Sequence, residues 1–223
     1  MNDQRDDSYA RRPSVWRGVD RQRWEDWHWQ QRHRLRTADE VEEAVGLRAV
    51  ERRAFDEAND AFRVAITPHY ASLMRRVDSS REPAGNSETP EFPLRAQALP
   101  RPGEMDVRAF EMSDPLAEES HMPAPGITHR YPDRVLWYVS HNCPMYCRHC
   151  TRKRKVSDPT TAASTGQLER GLRYIRENEQ VRDVLVSGGD PLTLADERLD
   201  AILGALRDIR HVEVIRLGTR NPV

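Results

Sequence analysis

Lysine is nearly missing from this 223-residue chain: of its 35 basic residues only Lys153 and Lys155 are lysines, and arginine supplies the rest. Chemistry that needs a lysine amine therefore has two candidates at most. Long apolar runs are missing as well. No stretch approaches the ~20 apolar residues of a membrane span, and the opening residues carry no apolar segment of the secretion-signal kind, so a cytoplasmic protein with no membrane partner is expected. An excess of either charge is also absent, because 36 acidic residues against 35 basic ones leave a net charge of -1. Without a general positive field, no nucleic-acid partner is expected. Cysteine is scarce: there are three, all between Cys143 and Cys150. An odd, clustered set argues against a disulfide framework and for metal or cluster ligation. A mean hydropathy of -0.83 is polar for a globular chain, and part of it is expected to meet a partner surface.

The pattern along the chain divides into four parts. Residues 1–23 are polar and Arg-rich and read as a tail. Residues 24–76 read as a mainly helical region, with Trp24, Trp27 and Trp29 as aromatic anchors near its start. Thr37 and Glu40 have the capping-box spacing ahead of Val41, Ala44 and Val45, and Phe55, Ala58, Phe62, Ala65 and Ile66 continue at helical intervals up to Pro68. Residues 77–127 form an extended connector in which repeated prolines prevent long helices. Residues 128–223 change character: Val135–Val139 is β-prone, Ser164 and Gln167 cap a helix bearing Leu168, Leu172 and Ile175, and Val184–Val186 is a second strand. A helix with Leu199, Ile202, Leu203, Leu206 and Ile209 follows, then a third strand from Val212 to Leu217. This β-α-β-α-β order predicts parallel strands of an α/β fold, with ligands beyond their C-terminal ends. Three strands do not close a barrel, so the expectation is that the chain stops within its fold.

Cys143, Cys147 and Cys150 follow the first of these strands with CxxxCxxC spacing. Thiolates suit iron-sulfur irons, and three of them leave one iron of a 4Fe-4S cluster without a protein ligand. The spacing alone also allows a zinc site completed by His141 or His149, in which case the chain would be a non-catalytic binding module.

The surrounding strings are more specific. His129 to Val135 (HRYPDRV), Cys147 to Arg154 (CRHCTRKR), Val181 to Asp190 (VRDVLVSGGD), Trp27 to Trp29 (WHW), Ala65 to Pro68 (AITP) and Arg216 to Arg220 (RLGTR) together resemble the lysine 2,3-aminomutase family of radical S-adenosylmethionine (SAM) enzymes. The likeness runs from about Trp24 to the last residue. It implies the first three β/α units of a radical-SAM partial (β/α) barrel, preceded by a mainly helical N-terminal region. Cys143, Cys147 and Cys150 would then ligate a 4Fe-4S cluster. His149 would lie against adenine, and Ser187, Gly188, Gly189 and Asp190 would bind the amino end of SAM. Arg152 would pair with the substrate carboxylate, the alternative being one more cation in a solvated run, Arg152 to Lys155. Arg130 and Arg134 would stand near the phosphate of pyridoxal phosphate.

The family reaction moves an α-amino group to the β-carbon, from L-lysine to β-lysine in the first instance. The resemblance also leaves room for glutamate or arginine 2,3-aminomutase and for an enzyme acting on protein-bound lysine. The implied partners are a small amino acid, an electron donor such as flavodoxin or ferredoxin, and further copies in a homo-oligomer. Pyridoxal phosphate needs a Schiff-base lysine. Lys153 and Lys155 do not match the family's position for it, so these 223 residues alone are expected not to catalyse the mutase reaction. Assay of the cluster-reconstituted chain with lysine, glutamate or arginine checks this, since appearance of a β-amino acid would refute it.

Overall fold

A computed structural model describes residues 8–58, 63–74, 93–106, 108–156 and 158–221. The chain divides into two compact units. The first takes the residues up to Ala109 together with Pro144–Cys150, and the second takes Phe110–Cys143 and Thr151 onward.

Six short helices build the described part of the first unit: α1 (Arg21–Glu25), α2 (Trp27–Arg32), α3 (Ala38–Val45), α4 (Ala49–Ala58), α5 (Pro68–Leu73) and α6 (Pro93–Ala98). Asp26 separates α1 from α2, because its carboxylate accepts from the His28 N–H and caps the second helix. Trp24 and Trp29 are buried with ring centroids 6.0 Å apart, whereas Trp27 stacks on His28. Trp16, from the polar opening stretch, joins the same core. The capping box at Thr37 and Glu40 forms as its spacing foretold, and α3 buries Val41, Ala44 and Val45. The helical pattern does not carry on to Ile66. Ile66 instead exchanges backbone hydrogen bonds with Leu35 at 2.8 and 3.0 Å, so it is extended; Phe62 lies outside the described residues. Pro68 then opens α5 as its first residue.

An ion pair sits inside this unit. Arg95, 2% exposed, donates to both Glu51 carboxylate oxygens, at 2.7 and 3.1 Å, and to the carbonyls of Val45 and Gly46 at the end of α3. Burial raises the Glu51 pKa, but the hydrogen bonds and charge of Arg95, with Arg48, outweigh it and hold the carboxyl below its ordinary value.

The second unit is an open four-stranded sheet with helices, an α/β arrangement. Its strands are β1 (Ile127–Tyr131), β2 (Arg134–Ser140), β3 (Asp183–Gly188) and β4 (Val214–Leu217), in that spatial order. α7 (Thr165–Glu177) and α8 (Asp196–Arg207) connect β2 to β3 and β3 to β4, and both of those pairs are parallel. Val135, Trp137 and Val139 of β2 and Val184 and Val186 of β3 share one core with Ile175 of α7 and Ile202 and Leu206 of α8. Ile209 belongs to that core although α8 has already ended. The sequence pattern missed β1, which pairs antiparallel with β2 through a tight turn at Pro132 and Asp133. Only Ile127 of β1 is buried, so it has no alternating apolar signature to read. Among the described residues no helix is long and apolar enough to cross a membrane.

Gly171 lets α7 lie close on the sheet. A Cβ there would stand 2.6 Å from Nε1 of the buried Trp137, an indole nitrogen without a hydrogen-bond partner among the described residues. Gly171→Ala would gain ~1 kcal/mol of helix propensity. The overpacking cost of about 1–3 kcal/mol against a rigid ring wins. The substitution is expected to lower the midpoint of denaturant unfolding, and an unchanged or higher midpoint would contradict this packing.

Candidate functional site

In the second unit, the loops leaving the C-terminal ends of β2, β3 and β4 are tied together by hydrogen bonds. β3 ends in Ser187 and Gly188, and the chain turns through Gly189 and Asp190. The Gly189 N–H donates to the Ser140 carbonyl at 2.5 Å and the Asp190 N–H to the Asn142 carbonyl at 2.7 Å, so the turn grips the residues just ahead of Cys143. Both glycines are required by this approach. Gly188 has a φ of +114°, and a Cβ on it would lie 2.6 Å from the Ser140 carbonyl; one on Gly189 would lie 2.4 Å from that of Asn142. A short 3₁₀ turn follows at Pro191–Thr193, and its Thr193 hydroxyl lies 3.1 Å from Ser140 Oγ. On the other side, the Asp190 carboxylate receives the Thr219 hydroxyl at 2.8 Å and the Arg220 N–H at 2.7 Å, joining the loop after β4.

The chain passes into the first unit between Cys143 and Pro144. There the residues between the cysteines anchor the segment. Met145 is buried in the helical core with Cys147 against it, and the Tyr146 N–H donates to the Ala65 carbonyl at 3.0 Å. Arg148 is held at both levels: its N–H donates to the Gln97 carbonyl at 2.8 Å, and its guanidinium meets the Glu104 carboxylate at 2.6 Å. The Cys150 N–H closes a turn onto the Cys147 carbonyl at 3.1 Å, while His149 is exposed. All three cysteines are half-buried and none forms a disulfide. Among the described residues no group of three or more His, Cys, Asp or Glu side chains stands ready-made as a metal site. Assignment of a cluster to these thiols therefore rests on their order and chemistry.

The basic run has carboxylate partners within the second unit. Arg152 faces Glu118 along one edge of its fork, with Nε at 3.1 Å and Nη2 at 2.5 Å. Arg154 pairs with Glu119 at 3.4 Å and Asp114 at 3.8 Å, and Lys155 with Glu119 at 3.8 Å. The Glu119 N–H, backed by Arg154 and Lys155, holds the Asp114 carboxyl below its ordinary value. Three of the four cations of the run, Arg152, Arg154 and Lys155, thus have carboxylate partners. Arg130 of β1 is exposed and donates to the Leu116 carbonyl at 3.1 Å, so the Asp114–Glu119 turn touches both Arg130 and Arg152. Arg134 of β2 lies cross-strand from Tyr131, its guanidinium carbon 5.6 Å from the ring centroid, and beside Asp133 at 3.4 Å.

Thus Ser187–Asp190 and the root of the cysteine loop are joined, and Arg152 and Arg130 share one turn. Sequence reasoning missed the anchors: Glu104 for Arg148, Glu118 for Arg152 and Thr219 for Asp190. Each is 29 or more residues from its partner, and no local spacing reveals such pairs.

Residues 137–222 match the Radical SAM superfamily. The chain is 43% identical over 205 residues to the L-lysine 2,3-aminomutase of Acetoanaerobium sticklandii, covering 92% of this chain and 47% of that protein. It is 41% identical to the L-lysine 2,3-aminomutase of Bacillus subtilis (94% and 42% covered) and 38% identical to the glutamate 2,3-aminomutase of Clostridioides difficile (90% and 44% covered). The chain thus spans about half the length of the curated relatives it matches.

Gly189→Ala is expected to push the Asn142 carbonyl away and lower iron uptake on anaerobic reconstitution to well below that of the unsubstituted chain. Circular dichroism of the same sample checks that the sheet survives. Full iron uptake by the variant would show that the turn does not set the root of the cysteine loop.

Proposed function

We propose that this chain, with its radical SAM match at residues 137–222, holds the radical-generating site of an amino acid 2,3-aminomutase, most similar in its named relatives to those acting on L-lysine. One observation carries the reading. A CxxxCxxC segment leaves the C-terminal end of a parallel strand, and its root is hydrogen-bonded to the Gly-Gly-Asp turn at the end of the next strand. That is where an open α/β sheet binds ligands. The second unit is read as the first three β/α units of a partial barrel, and the first as its helical N-terminal region.

In this reading Cys143, Cys147 and Cys150 hold a 4Fe-4S cluster, a fit supported by three thiols that form no disulfide. When bound, such a cluster supplies the electron that cleaves SAM to a 5'-deoxyadenosyl radical. The protein's part is to bind, orient and seclude. Ser187–Asp190 form the segment for the amino end of SAM, and His149 offers a ring for adenine. Arg152, a permanently charged planar fork, is suited to the substrate carboxylate. Glu118 already fixes the plane of that fork. Arg130 and Arg134 bring positive charge suited to the phosphate of pyridoxal phosphate. Neither Lys153 nor Lys155 is assigned the Schiff base, and Lys155 is paired with Glu119. Glutamate is the second substrate reading, supported by the 38% identity to a glutamate 2,3-aminomutase. A small reduced flavodoxin or ferredoxin as electron donor, assembly into a homo-oligomer and a cytoplasmic location complete the proposal.

Metal analysis tests it. Anaerobically reconstituted protein is expected to contain about four irons and four sulfides per chain, with Cys→Ala at position 143, 147 or 150 abolishing stable incorporation. Addition of SAM is expected to alter the electron paramagnetic resonance spectrum of the reduced cluster. Zinc without iron or sulfide would replace this reading with a zinc-binding module.

A further inference from the structure

Asp190 is 3% exposed, and both of its carboxylate oxygens are already engaged by the protein. Oδ1 accepts from the Leu192 N–H at 3.0 Å and from the Thr219 hydroxyl at 2.8 Å. Oδ2 accepts from the Arg220 N–H at 2.7 Å and lies 2.9 Å from the same hydroxyl. Thr219 Oγ1 in turn accepts from the Asn221 N–H at 2.9 Å, so the loop after β4 is folded around this one carboxylate. A carboxylate offers about four lone-pair sites. Three half-buried protein donors occupy most of them. An incoming ammonium would find about one lone-pair site left, and to take more it would have to displace charge-assisted hydrogen bonds, which are among the stronger ones a protein makes.

We propose that Asp190 is a positioning residue and not a direct ligand of the SAM ammonium. Through Thr219 and Arg220 it locks the loop leaving β4 onto the turn leaving β3, and so fixes the backbone that receives the amino acid end of SAM. The proposal rests on the reading of Ser187–Asp190 as the SAM segment. It assigns Thr219, which no motif singled out as a site residue, a share in SAM affinity without contact to SAM. Substitution at Thr219 leaves the Asp190 charge in place, so the two roles for Asp190 separate cleanly.

The test uses the cluster-reconstituted chain with Thr219→Ala, Thr219→Ser, Asp190→Asn and the Thr219→Ala/Asp190→Asn pair. SAM affinity is measured by equilibrium dialysis, and hydrogen exchange at the Arg220 amide is followed in cluster-free protein. Thr219→Ala and Asp190→Asn are each expected to weaken SAM binding about ten-fold, the scale of one lost hydrogen bond to a charged group. The double variant should be no weaker than the weaker single one, and Thr219→Ser should bind as the unsubstituted chain does. Arg220 amide protection should be lost in Thr219→Ala and Asp190→Asn and kept in Thr219→Ser. Wild-type affinity in Thr219→Ala alongside weakened Asp190→Asn would make Asp190 a direct ligand and overturn the proposal. Wild-type affinity in both would overturn it too. An unsubstituted, cluster-loaded chain that does not bind SAM would instead remove the SAM reading itself, and this proposal with it.

Discussion

Two backbone hydrogen bonds, from Gly189 to Ser140 and from Asp190 to Asn142, set the geometry at the C-terminal end of the second unit's parallel strands. They exist because neither glycine carries a Cβ at a place where a carbonyl oxygen stands within 2.6 Å of where that atom would be. The approach converts two separate loops into one hydrogen-bonded layer. The direction in which the chain leaves toward Cys143, the 3₁₀ turn that begins after Asp190 and the placement of Asp190 itself follow from it. A Gly-Gly pair in this position is commonly read as room for a ligand. Here the room is first of all taken by the protein's own neighbouring loop.

The first unit shows the complementary strategy, in which charged side chains hold irregular backbone. Arg95 serves the carbonyls at the end of α3 and the Glu51 carboxylate together, and Arg148 ties a main-chain carbonyl to Glu104. Short helices supply few intrahelical bonds of their own, so their ends must find partners elsewhere. Arginine suits that task better than lysine, because one planar fork reaches several acceptors at once. The near absence of lysine in the chain agrees with this use. A buried pair of this kind is costly to break from one side, on the order of 3–5 kcal/mol, since the surviving charge remains buried.

Local periodicity made one helix start of the first unit and much of the second unit legible. Both capping boxes, the parallel order β2-α7-β3-α8-β4 and the core positions Ile175, Ile202 and Leu206 follow from spacing and capping alone. β1 was not legible, because its residues after Ile127 are polar and its pairing depends on a turn rather than on burial. The continuation of the helix to Ile66 failed for a related reason: Ile66 forms a backbone β-bridge to Leu35, and periodicity does not register a pairing with a partner far along the chain. At the candidate site, residue types and spacing pointed to Cys143, Cys147, Cys150 and Ser187–Asp190. The carboxylates that hold the arginines are contributed by segments far away in sequence, where no pattern links them. Arg152 is expected from the sequence to meet a substrate carboxylate, and Glu118, 34 residues away, lies along one edge of its fork.

The polarity that hid β1 from a sequence reading has a use of its own. A sheet edge with an apolar, regular strand invites strand addition by another copy of the chain. β1 is short, carries His129 and Arg130, and breaks register between Thr128 and Tyr131. Such an edge makes a poor template, so a strand that gives only Ile127 to the core guards this side of the sheet against strand addition.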